Sequence, residues 1–115
     1  MMKRSYRMFL EDILGSIDKI GKYVGGLDYE DFIQDDKTLD AVIRNLEVIG
    51  EASKNIPIGI RNKHPEIPWK RMAGLRNIIT HEYFGIDFKI VWQIVKKNLP
   101  EVKPLIRRML VGIEK

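Results

Sequence analysis

The apolar residues of this chain fall at helical intervals almost from end to end. Tyr6, Leu10, Ile13, Ile17, Ile20 and Val24 alternate steps of four and three, which on a helix makes one continuous stripe. Gly25-Gly26 closes that stretch, because glycine readily takes the left-handed conformation that terminates helices. After an acidic connector the rhythm returns at Leu39, Val42, Leu46 and Ile49. The helix it predicts starts near Asp35 or Asp36, whose carboxylates can accept the free N–H groups of a first turn. It ends before Ile56-Pro57. Two long amphipathic helices joined by a short link predict an antiparallel pair.

From Pro57 to Pro68 the chain holds three prolines, one glycine and His64, which predicts a loop with one short helical turn at most. Pro68 suits the first turn of a third helix, where its missing N–H loses nothing. That helix is expected from Trp69 to about Tyr83, stopping at Phe84-Gly85. Asp87 reads as the cap of a fourth helix with Val91, Ile94 and Val95 on its buried side. Asn98-Leu99-Pro100 opens a last one carrying Leu105, Ile106, Met109, Leu110 and Ile113. Neither strand alternation nor an internal repeat interrupts the pattern. The expected fold is all-α, a bundle of about five helices.

Composition narrows the class. With 115 residues, the chain is long enough for one domain, expected to span 1–115, and too short for two. No run approaches the ~20 apolar residues of a membrane span. The opening Met1-Met2-Lys3-Arg4-Ser5-Tyr6 lacks the apolar core and small-residue cleavage site of a signal peptide. Cysteine is absent, so disulfides and thiol catalysis are excluded and a cytoplasmic location is expected. The net charge of +4 is unevenly spread: residues 11–40 carry nine acids and three bases, leaving +10 on the remainder. Lys96, Lys97, Lys103, Arg107 and Arg108 stand out near the end. Such a surface attracts polyanions, RNA among them, although basic runs are also ordinary solvated helix faces.

One segment joins a histidine to other chemically capable side chains: Arg76-Asn77-Ile78-Ile79-Thr80-His81-Glu82-Tyr83. On a helix, Met72, Leu75, Ile78 and Ile79 form its apolar side, while Arg76, Thr80, Asn77 and His81 share a polar arc of about 140°. Asn77 and His81 are one turn apart, and Arg76 and Tyr83 align two turns apart. A histidine can take or give a proton near neutrality, and an arginine offers a planar fork of donors to phosphate. For RNA the 2′-hydroxyl of the substrate can be the nucleophile, so this chemistry needs neither metal nor other cofactor. A second proton-transfer group is still wanted for the leaving oxygen, and a symmetric dimer pairing two copies of the helix across a cleft supplies it economically. A structural role competes with this reading: the histidine can cap carbonyls at a helix end, and Arg76 can simply pair with Glu82 or Glu51.

The segment reads R-N-x-x-x-H-x-Y, and with it the chain resembles the HEPN domains, specifically the HepT-like toxin branch. The resemblance covers nearly the whole chain. It includes Ile49-Gly50-Glu51-Ala52-Ser53-Lys54, Pro65-Glu66-Ile67-Pro68-Trp69, Arg76-Asn77 through His81-x-Tyr83-Phe84-Gly85, Asp87 and Ile90-Val91-Trp92. It implies a metal-independent endoribonuclease toxin of a type VII-like toxin–antitoxin system, with the Arg76–His81 motifs of two subunits lining the cleft of a two-fold homodimer. Asn77 then supports His81 or the phosphate. It also implies an MntA-like minimal nucleotidyltransferase as antitoxin, silencing the toxin by transferring AMP onto the motif tyrosine, here Tyr83. Family members often have glycine where this chain has Glu82, and a carboxylate there opposes a phosphate unless it points away or pairs with a base.

Other candidates are weaker. His64 is a solitary loop residue expected at the surface. Two distant histidines and no cysteine do not make a zinc site. The paired glycines lack the strand–glycine–helix context of a nucleotide loop, and Trp69 and Trp92 read as core anchors. Beside the nuclease stands a second reading, a non-catalytic helical dimer that binds a nucleotidyltransferase partner or a nucleotide. A third is a plain structural bundle whose motif helix is only interface.

Overall fold

Helix α1, Tyr6–Val24, exists because its stripe has somewhere to go: Leu10, Ile13, Ile17, Ile20 and Val24 are all buried. Gly26 follows with φ +83°, the left-handed geometry that ends the helix and that a Cβ would oppose. The structure, a computed structural model, describes residues 6–81 and 85–114, and their side chains except those at 78–81 and 114.

The acidic connector contains a short helix, α2 (Tyr29–Gln34), opened by a capping box in which the Asp31 amide donates to Asp28 Oδ1 at 2.8 Å and the Asp28 amide to Asp31 Oδ2 at 3.4 Å. α3 runs Asp36–Lys54 with Asp35 as its cap, accepting from both the amide and the hydroxyl of Thr38. These two bonds hold the Asp35 carboxyl below its ordinary range. The proline-rich stretch holds one short helix, α4 (Ile58–Lys63), and α5 then occupies Trp69–His81. Pro68 directly precedes it, its carbonyl accepting from the Met72 amide at 3.0 Å.

α6 (Phe88–Gln93) begins at Asp87, whose carboxylate accepts from the Lys89 amide at 2.9 Å. It does not stop at Asn98. A π-helical turn, Ile94–Asn98, carries it directly into α7 (Leu99–Glu114). Pro100 cannot donate the bond a continuous α-helix asks of it, and the widened turn lies just before it. Thus the fourth and fifth expected helices form one uninterrupted run.

α3 is the central element, packed between α1 and α5, and α7 lies against α1. Val42, Leu46 and Ile49 of α3 are fully enclosed. Ile106 and Met109 of α7 are buried, while Leu105, Leu110 and Ile113 are half-buried. A Lys103–Asp18 ion pair of 2.6 Å ties α7 to α1 at the surface. Trp92 of α6 meets the buried Phe32 of α2 at 4.8 Å and Tyr29 at 6.1 Å between ring centroids, so the short helix is anchored through these rings. The fold is all-α, and among the described residues there is no strand. No helix of these residues is long and apolar enough to cross a membrane.

Candidate active site

The motif helix is held against α3 by the absence of a side chain. A Cβ built on Gly50 would lie 2.6 Å from the Arg76 amide nitrogen, 3.0 Å from its Cβ and 3.2 Å from its Cα. No L side chain tolerates that approach, so Gly50 sets how closely the two helices meet at Arg76. One residue further along α3, Glu51 reaches the same arginine, and Arg76 Nε stands 2.7 Å from Glu51 Oε1. Of the two acids open to Arg76 in the sequence, Glu51 is the partner; Glu82 lies outside the described residues.

This pair is not a buried lock. The Arg76 and Glu51 side chains are 43% and 53% exposed, so water screens the pair, and its contribution to stability is below about 1 kcal/mol. What the carboxylate supplies is an anchor at Nε, which leaves the other guanidinium N–H groups available to further acceptors. Asn77, the next residue, is exposed. Met72 and Leu75 are buried on the opposite side of α5, as the apolar arc required.

α5 continues through His81, so Arg76 and His81 stand on one helix, about 7.5 Å apart along its axis and about 140° around it. The His81 side chain is not among those described, and Tyr83 lies outside the described residues. His64 is far from being a core residue: half exposed, its Nδ1 stands 3.7 Å from Glu66. Its carbonyl accepts from Trp69 Nε1 at 3.1 Å, which helps seat that buried indole at the start of α5.

Arg76 and Asn77 open onto a groove that the sequence alone did not reveal. It has a volume of about 850 Å³ and lies between α4, the proline-bounded turn and the outer side of α5. Lys54, Arg61 and Lys70 line it together with Asn62, Arg76 and Asn77, and no acid does so among the described residues. Four cations around one concavity are suited to a polyanion.

A sequence model of the HepT-like ribonucleases matches residues 13–109. The chain belongs to that family. This HepT-like chain is 49% identical over 102 residues to the Thermococcus cleftensis protein named "Probable ribonuclease HepT", covering 89% of this chain and 93% of the relative. Two Methanocaldococcus jannaschii proteins that carry an RNase designation are 48% and 45% identical. The first alignment covers 90% of this chain and 94% of the relative, the second 99% and 98%. No solved structure matches with comparable significance. Membership places the HepT-like chain among ribonucleases.

Proposed function

We propose that the protein is a metal-independent endoribonuclease toxin in which Arg76 binds and polarises the scissile phosphate and His81 transfers the proton. The observation that carries this reading is Arg76 itself: a charged guanidinium fixed on one edge by Glu51 at 2.7 Å, opening onto a cationic groove, on a helix that also bears His81. In this reaction His81 takes the proton from the 2′-hydroxyl or gives one to the leaving 5′-oxygen. The attacking oxygen bonds to phosphorus as the P–O5′ bond breaks, leaving a 2′,3′-cyclic phosphate and a free 5′-hydroxyl. Arg76 neutralises charge growing on the non-bridging oxygens, and Asn77 orients His81 or the phosphate.

One helix supplies one histidine, so the reading includes a two-fold homodimer in which a second copy brings the other proton-transfer group into a shared cleft. It also includes silencing by an MntA-like nucleotidyltransferase antitoxin that places AMP on Tyr83, seven residues beyond Arg76 in the motif. There the added phosphate takes the space and the charge that RNA needs. The test is cleavage of RNA by the unmodified protein in excess chelator. His81→Ala and Arg76→Ala should each lower turnover by about 10²–10⁴-fold with the fold intact. Cleavage that survives His81→Ala, or that starts only on adding magnesium, sinks the mechanism.

A further inference from the structure

Three cations of the groove have no part in the bond-breaking step. Lys54 closes the last turn of α3, Arg61 sits on α4 and Lys70 opens α5, and all three line the cavity beside Arg76. Among the described residues none of them forms an ion pair. Arg61 is the most telling, because its Nε is buried and has no hydrogen-bond partner there. A buried donor left unmade costs free energy, and the half-buried Arg61 side chain that carries it lines the groove.

The walls are not purely charged. Ile67 and Trp69 form a buried apolar floor, and Ile58 stands 62% exposed at the groove. Cations beside apolar contact surface fit an unpaired strand, whose phosphates and base faces are both available. A duplex hides its base faces in the stack and is recognised across wide grooves by shape, and a cavity of about 850 Å³ lies within the size range of sites for compact ligands.

We propose that this groove is the track for a single RNA strand running away from the scissile phosphate, with Lys54, Arg61 and Lys70 on its phosphates and Ile58 against a base. It deepens the ribonuclease reading and rests on it, since the track leads to Arg76. It implies that the enzyme cuts within unpaired segments.

The experiment measures binding of a fluorescent single-stranded RNA oligonucleotide to the full chain carrying His81→Ala, across a salt series. Each phosphate contact adds about 0.7 to the slope of log affinity against log salt for single strands. Lys54→Gln/Arg61→Gln/Lys70→Gln should therefore flatten the slope by about 2, a roughly twentyfold change in the affinity ratio between 50 and 200 mM. Lys54→Gln/Lys70→Gln, which spares the partly enclosed Arg61, should flatten it by about 1.4. A charge-matched control, Lys19→Gln/Lys22→Gln/Lys37→Gln in the acidic stretch 11–40, should leave the slope unchanged. Thermal melts confirm that each variant is folded.

A wild-type slope in both groove variants overturns the track, as does an equal loss in the control. Duplex RNA competing as well as single strands overturns the single-strand assignment. If the protein with His81 intact cuts RNA while the groove variants bind normally, only the track falls. If groove-dependent binding persists but that protein cuts nothing, the nuclease reading falls and the track stands.

Discussion

Gly50→Ala puts one methyl group where the structure has the least room for it. The new Cβ would meet the Arg76 backbone nitrogen at 2.6 Å, and ordinary contact begins at 3.4 Å. The atom in the way is backbone, so no rotamer change relieves it; α5 must retreat from α3 by about 0.8 Å or tilt. Overpacking of this kind costs about 1–3 kcal/mol. Alanine is better than glycine inside a helix by about 0.8–1.0 kcal/mol, so the expected net loss is about 0–2 kcal/mol. Activity should suffer more, because a displacement near 1 Å of a positioning group can cost about 10²-fold, and the retreat happens at Arg76. The assay pairs urea unfolding with RNA turnover at a temperature where the variant is fully folded. Gly15→Ala is the reference, since a Cβ there meets nothing within 4 Å; it should stabilise the protein by up to about 1 kcal/mol and leave turnover alone. If Gly50→Ala matches Gly15→Ala in both stability and turnover, the close approach of the helices does not position Arg76 and the reasoning is refuted.

Three further outcomes are expected. Glu51→Gln should cost less than about 1 kcal/mol of stability, the pair being half exposed, yet lower turnover on the order of ten- to hundredfold by releasing Arg76; a loss that adds in full to that of Arg76→Ala would show that Glu51 does not act through the arginine. Tyr83→Phe should keep substantial ribonuclease activity and escape the antitoxin, with intact-mass measurement after incubation with the nucleotidyltransferase and ATP as the check; AMP on the Phe variant would exclude Tyr83 as acceptor. Asp35→Ala should lower Tm at neutral pH. The native carboxyl is held below its ordinary value of 3.8 by Thr38, so its contribution is complete above about pH 4 and fades as pH falls through the lowered value. The Tm gap between variant and wild type should therefore narrow in acid, and a gap independent of pH would exclude the charged cap.

The long stripes of α1 and α3 and the caps at Asp35 and Asp87 were legible because each is a local rule: apolar spacing or a carboxylate ahead of free amides. The placement of Arg76, Asn77 and His81 on one helix was legible for the same reason. α2 was not, since its hold on the bundle comes largely from Phe32 and Tyr29 meeting a tryptophan about sixty residues away. The partner of Arg76 stayed open between two acids because the choice is made by the bare backbone at Gly50, which brings α3 to α5. The groove escaped notice for a related reason: Lys54, Arg61 and Lys70 come from three different elements. In sequence each looks like one more solvated cation.

The π-helical turn has a consequence for the length of the chain. Val91 and Leu99 are both buried, yet eight residues of regular α-helix would leave them about 80° apart around the axis. The widened turn absorbs the difference, so the run holds one residue more than a plain helix would need to face the core at both ends. Losing any one residue from the turn would let the helix close to regular geometry with the two positions about −20° apart, still on one side. Gaining one would leave no such remedy. Between Ile94 and Asn98 the protein can therefore shorten by a single residue without turning α7 away from α1, and it cannot lengthen by one.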